Sequence, residues 1–258
     1  MKISITQNKL LKGLFAIIFW VLVWYGVSWI IGKEIFLPYP HTVIKRFGIL
    51  ILNSEFYITV VASLLRILIG FIIGTIFGFL LAILTNYSNL SEMIVSPFIK
   101  IVRATPVVSF ILLAYLWLDN DTIPAFIAIL MVAPIIWQNV TAGFMNLDGN
   151  LLEMAQVFKI KGYKKFSKII FPQLLPYLYS GCLNSIGLAW KSGVAAEVIS
   201  YPQIAIGKEM NEAKVVLETA DVFVWTLTLI ILSIVFEWLF KCIFNRNGRL
   251  KGAVNKND

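Results

Sequence analysis

Long stretches without a single charge constrain this chain more than any other feature. Lys12 to Lys33 encloses 20 uncharged residues, Arg66 to Glu92 encloses 25, Asp121 to Asp148 encloses 26 and Lys168 to Lys191 encloses 22. Two runs of 15 lie between Arg103 and Asp119 and between Asp221 and Glu237; the first extends backward past Lys100 and the second forward to Lys241. A helix of about 20 mostly apolar residues crosses a bilayer. The runs therefore predict six spanning helices, at 12–32, 57–85, 95–118, 122–143, 170–198 and 221–243. Only 14% of the residues are charged and 59% are hydrophobic. A chain of 258 residues cannot hide that much apolar surface in one soluble core, and the same numbers exclude disorder. The run Leu14 to Ile31 is longer than a signal-peptide core and has no A-x-A site before Lys33, so it is expected to stay as a helix. The expected fold is an all-α membrane protein of about six transmembrane helices.

The net charge is +8, but the cations sit in short clusters between the apolar runs. That arrangement points to membrane orientation and not to a nucleic-acid face. With both termini in the cytoplasm, the inward segments carry Lys2, Lys9 and Lys12, then Lys159, Lys161, Lys164, Lys165 and Lys168, then Lys241, Arg246, Arg249, Lys251 and Lys256. The outward loops carry Lys33, Lys45, Arg46, Lys208 and Lys214 against Glu34, Glu55, Asp119, Asp121, Glu209, Glu212, Glu218 and Asp221. The organisation expected is a first helix and outer loop (1–56), a five-helix core with an inner loop at 144–169 (57–243), and a basic tail (244–258).

No catalytic residue is expected. His41 is the single histidine, which leaves little for a zinc site or a Ser-His-Asp triad. Cys182 and Cys242 lie in apolar surroundings without ligand spacing and are expected to be small buried hydrophobes. No G-x-x-x-x-G-K-[ST] phosphate loop occurs, since Gly207-Lys208 is followed by Glu and lacks the upstream glycine. Any ATP, with its Mg, would have to be bound by another chain.

Two loops are longer than connectors need to be. Residues 200–220 lie outside and are expected to hold a short polar helix, Gly207 to Thr219. Residues 144–169 lie inside. Asp148-Gly149 marks a turn, and a short amphipathic helix starts near 150. Leu151, Met154, Ala155 and Phe158 share one face, with Glu153, Gln156 and Lys159 around them. Gly162 is the expected stop, followed by a second, basic helix from Tyr163 to Ile170 and then Pro172. Physics alone leaves two uses open: a helix lying on the membrane surface, or a knob that docks into a groove of a cytosolic partner.

The stretch MNLDGNLLEMAQVFKIKGYKKFSKIIFPQLLP resembles the cytoplasmic signature of ABC-importer permeases, the membrane subunits of binding-protein-dependent transport. That signature has an acid followed by two small residues, a glycine six positions after the acid and a proline about nineteen after it. Glu153, Ala155 and Pro172 match. Met154 stands where the first alanine belongs and Lys159 where the glycine belongs, so the turn is expected to move to Gly162. Other segments are similar to the nitrate, sulfonate and taurine group of these permeases. They are Phe36-Leu37-Pro38-Tyr39-Pro40, Ser63-Leu64-Leu65-Arg66 with Gly70, Arg103-Ala104-Thr105-Pro106-Val107-Val108, and Ala189-Trp190-Lys191-Ser192-Gly193 through Glu197. The resemblance implies a translocation pathway for a small solute, an anion such as a sulfonate or nitrate or a vitamin precursor. It implies a separate ATPase that docks on the helix around 150–162, a second permease copy, an extracytoplasmic solute-binding protein and a bacterial cytoplasmic membrane.

Pathway candidates follow from charges and breaks inside spans. Arg66 either contacts a solute anion or snorkels or pairs with an acid. Arg103 and Pro106 mark a kinked wall or simply the inner end of the third span. Lys191 and Glu197, six apart, do not share a helix face; they line a broken helix, or Lys191 snorkels. Gly70, Gly74 and Gly78 form an i, i+4, i+8 ladder suited to close helix packing. The rival classes are a self-sufficient oligomeric secondary transporter or channel, which usually shows repeats and mid-membrane acids, and a membrane enzyme, for which no polar constellation stands out.

Overall fold

A computed structural model describes residues 9–246, with side chains from 13 to 244. The expected tail at 244–258 and the N-terminal lysine Lys2 therefore lie outside the described residues or at their margin. Every regular element among the described residues is helical. In chain order these are α1 (Lys9–Ile31), α2 (Pro40–Leu50), α3 (Ser54–Tyr87), α4 (Asn89–Ala104), α5 (Val107–Ala114), α6 (Ile123–Met145), α7 (Gly149–Val157), α8 (Gly162–Lys165), a π-helical turn (Phe166–Ile170), α9 (Phe171–Ser200), α10 (Ile206–Val215) and α11 (Thr219–Arg246).

Four of these helices are long and apolar enough to span a bilayer: α1, α3, α6 and α11. The pair α4 and α5 would make a fifth, but only as a broken span, because the two axes meet at 101°. The expected single helix over 95–118 is thus corrected to two. The cause is local. A residue before proline is pushed out of the α region, and Thr105 takes φ −80°, ψ 133° ahead of Pro106. Where a fifth span was expected, at 170–198, the chain forms the 30-residue helix α9. Gln173, Asn184, Lys191 and Glu197 interrupt it, and it does not reach the hydropathy of the other four.

The described residues form two compact units, 9–60 with 209–228, and 61–208 with 229–246. In the first, the Trp24 indole N–H donates to the Pro38 carbonyl (3.1 Å) and Trp24 stacks on Phe223 (5.5 Å). Arg46 donates to both carboxylate oxygens of Asp221 and to Glu218. The Asp221 carboxylate raises the Arg46 pKa above its ordinary value.

In the second unit α6 packs along α9. Alongside it, α3 lies against α6 through the glycine ladder. A methyl group at Gly70 would stand 2.5 Å from the Ala125 carbonyl oxygen, and one at Gly74 2.9 Å from Val132 Cβ. At Gly78 it would collide with the Ala133 carbonyl. No side chain fits there, because real Cβ contacts keep beyond van der Waals range. Both helices advance together along this seam (70 to 78 against 125 to 136), so they run parallel. α9 returns antiparallel, with Gly143 against Tyr177 and Leu174, and Gly181 against Asn139 and Ile136.

Candidate functional site

The first candidate surface is the loop between α6 and α9. Asp148 caps α7, its carboxylate accepting from the Asn150 amide at 2.8 Å, which satisfies one of the orphan donors of the first turn. The helix does not run on to Gly162. It ends at Val157, and Lys159 takes the left-handed conformation with φ 52°. The Ile160 amide reaches back to the Ala155 carbonyl (2.8 Å) and the Lys159 amide to Gln156 (3.0 Å). These two bonds define a Schellman stop with its left-handed residue at Lys159. The turn therefore has not moved: the lysine adopts the geometry that a glycine would supply at that position, and the expectation of a stop at Gly162 is corrected. Gly162 is a second left-handed residue (φ 56°) and opens α8.

The apolar face is divided as well. Ala155 is fully buried, whereas Met154 is 41% exposed, Val157 78% and Phe158 71%. Ala155 faces the protein instead of sharing the outward face with Met154 and Phe158. Glu153 and Lys159 are exposed. Pro172 stands in the first turn of α9, where a missing N–H is harmless, directly after the π turn.

The second candidate is the break between α4 and α5. Arg103 occupies the last turn of α4, exposed, and donates to Gln138 Oε1 on α6. Pro106 begins α5. Below the bend, Ile111 and Ala114 of α5 pack with Ile123, Ile127 and Ala196 in a closed apolar cluster. Lys191 is exposed and forms no ion pair among the described residues. Arg103 and Lys191 are thus not brought to Arg66 or to Glu197.

Arg66 and Glu197 do meet. The Arg66 guanidinium donates to Glu197 Oε1 at 2.9 Å, to Asp121 Oδ1 at 3.1 Å and to the Ile204 carbonyl at 3.3 Å. Glu197 is wholly buried. Its second oxygen accepts from Ser63 Oγ at 2.9 Å and from the Gly207 amide at 3.1 Å. Ser63 Oγ in turn accepts from the Ile206 amide at 2.8 Å, and Asp121 accepts from the Gln203 amide. Removing Arg66 would leave an uncompensated buried charge, at a cost of about 3–5 kcal/mol. Ser63, Asp121 and Gly207 were not among the sequence candidates. One signal pointed to Ser63: it stands three residues before Arg66, on the same face of an apolar helix. Among the described residues no three His, Cys, Asp or Glu side chains gather as a metal site, and Cys182 and Cys242 are free thiols, the first buried and the second exposed.

A multi-pass helical bundle carrying a short N-capped helix between two long ones and a broken span is the architecture of a transport permease. Residues 74–248 match the family described as binding-protein-dependent transport system inner membrane component, and the chain belongs to it. It is therefore a transport subunit and not an enzyme, and the family works with an ATPase and a solute-binding protein. Among its relatives is the protein of Escherichia coli named as an aliphatic sulfonates transport permease, SsuC, 31% identical over 184 residues, covering 70% of this chain and 69% of that one. The Bacillus subtilis protein of the same name is 27% identical over 215 residues, 83% of this chain and 78% of that one. The nitrate import permease NrtB of Synechocystis is 28% identical over 207 residues, 76% and 74%. A crystal structure of an amino acid ABC transporter with histidines shares the fold, with a TM-score of 0.58 over 79% of this chain and 96% of that one, at 16% identity.

Proposed function

We propose that this permease forms the pathway of an importer for a small inorganic or organic anion. ATP and Mg are bound by a partner ATPase that engages α7. The observation that carries the coupling half is α7 itself. It is a nine-residue helix capped at one end by Asp148 and stopped at the other by a Schellman turn, and it turns Met154, Val157 and Phe158 outward. A short, rigid, apolar knob ringed by Glu153 and Lys159 suits a groove in a cytosolic protein. In this reading both termini are cytoplasmic, six crossings include α9 and the broken α4–α5 pair, and two copies of the chain, bedded in bilayer lipid, make the pathway in a bacterial cytoplasmic membrane. ATPase closure moves α7 together with the π turn and α9 that follow it.

The anion half rests on relatives named for aliphatic sulfonates and nitrate, and on two exposed cations without an acidic partner among the described residues. Arg103 at the helix break and Lys191 on α9 are the pathway groups that would favour negative charge; Pro106 keeps the break open. The test is ATP-driven uptake into vesicles holding the permease, its ATPase and its binding protein, with nitrate, bicarbonate and a short alkanesulfonate offered beside a neutral sugar. Accumulation of one anion, cut at least tenfold by Arg103→Gln, is expected. Uptake of the sugar alone would overturn the anion assignment.

A further inference from the structure

The turn from α9 to α10 is held almost wholly by side chains from elsewhere. It contains a left-handed Tyr201 (φ 55°) and a buried Pro202, so it cannot continue either helix. Its polar backbone groups find partners one by one: Gln203 N–H on Asp121, Ile204 C=O on Arg66, Ile206 N–H on Ser63, Gly207 N–H on Glu197. The last two are the first amides of α10, which have no partner inside that helix. Glu197 thus acts as an N-cap delivered from the preceding helix, its charge set between the Arg66 guanidinium and the positive end of α10. The packing allows nothing else there. A methyl at Gly207 would lie 2.5 Å from Glu197 Cβ and 2.6 Å from the Val198 amide nitrogen. Beneath it, Gly193 lets α9 close on Ile67 of α3. The Tyr115 hydroxyl adds a bond from just beyond α5 to the Ile199 carbonyl, at 2.6 Å.

We propose that Glu197, Arg66 and Ser63 are positioning residues: they bind α3, the α5–α6 loop and the α9–α10 turn into one rigid body that stays intact in both access states, and they do not contact the solute. This takes Arg66 and Glu197 out of the pathway and leaves Arg103, Pro106 and Lys191 in it. It follows from geometry. The Glu197 carboxylate is fully buried and both its oxygens are occupied, while both terminal nitrogens of Arg66 are engaged by Glu197, Asp121 and the Ile204 carbonyl, so the pair is directed at the protein and not at a passing anion. A movement that opens the pathway then has to be taken up outside this body, and the helix break at Thr105–Pro106 is where the chain carries no continuous helical bonding.

The experiment is amide exchange of the peptides covering 198–212. It is read first on the purified chain, then on the chain assembled with its ATPase, without nucleotide and with ATP on a hydrolysis-dead ATPase. The first arm needs no importer activity, so the hub and the importer assignment can fail separately. The expected result is strong protection of Ile206 and Gly207 in all three states. Glu197→Ala should raise their exchange at least tenfold, and Glu197→Gln, which still offers an acceptor to Gly207, should recover part of it. Should Glu197→Ala fail to assemble, Ser63→Ala removes the Ile206 bond and the hydroxyl's bond to Glu197 but leaves the Glu197–Gly207 bond, and should raise exchange most at Ile206. Unchanged exchange in Glu197→Ala or Ser63→Ala would overturn the cap. Protection lost in one nucleotide state would overturn the rigid body in favour of a gate. Wild-type exchange in Glu197→Gln combined with an altered choice among anions would return the residue to the pathway.

Discussion

Replacing Lys159 with glycine should stabilise the end of α7. The lysine sits at φ 52°, a conformation that costs an L-residue with a Cβ roughly 1–2 kcal/mol. Glycine escapes that cost but gives up roughly 0.5–1 kcal/mol of chain entropy. The net expected gain is about 0.5–1 kcal/mol. The Lys159 side chain is exposed, so little contact energy is lost in the exchange. The gain should appear where the Schellman bonds are, at the Lys159 and Ile160 amides that reach Gln156 and Ala155. Amide exchange of the detergent-solubilised chain measures it directly: Lys159→Gly should slow exchange at residue 160 about two- to fivefold. Lys159→Ala keeps the Cβ and the strain, and should leave exchange close to wild type. Equal slowing in both variants, or faster exchange in the glycine variant, would refute the assignment of residue 159 as the strained stop.

Four further outcomes are expected. Gly70→Ala and Gly78→Ala drive a methyl into the α6 backbone and should lower stability by about 1–3 kcal/mol, seen as a lower melting temperature in detergent. Gly48→Ala, on α2 with nothing within 4 Å of the new carbon, should be neutral or stabilising by up to about 1 kcal/mol. Pro106→Ala restores the missing amide donor and should shrink the 101° bend between α4 and α5, read as a longer distance between spin labels at residues 93 and 116, with uptake reduced. Glu153→Lys and Phe158→Ala, both at exposed positions of the loop between α6 and α9, should weaken ATPase binding at least tenfold while membrane insertion stays unchanged, as a pull-down and an extraction assay would report.

Hydropathy made most of the bundle legible, because in lipid a long uncharged run has few options besides a helix. α1, α3, α6 and α11 lie close to where the gaps between charges put them. Thr105-Pro106 was also readable as a break, since proline restricts its own φ and its predecessor's ψ; the size of the bend was not, being set by how α5 packs on Ile123, Ile127 and Ala196. The loop between α6 and α9 was half legible. Asp148 as a cap and Glu153 as an exposed acid could be read from residue type. The stop at Lys159 could not, because a glycine at 162 is the better local signal, and the tertiary fit of Ala155 decides in favour of the lysine. The contact of Arg66 with Glu197 spans 131 positions. No helical periodicity relates residues so far apart. Lys191, six positions from Glu197 on the same helix, is not its partner.

Coupling through α7 is the central claim, and affinity purification of the tagged chain from native membranes in mild detergent tests it most directly. The expected result is co-purification of an ATPase with a phosphate-binding loop, lost when residues 150–162 are scrambled and kept when residues 208–218, in and after α10, are scrambled. A homo-oligomer that carries no ATPase and moves solute in vesicles without ATP would contradict it.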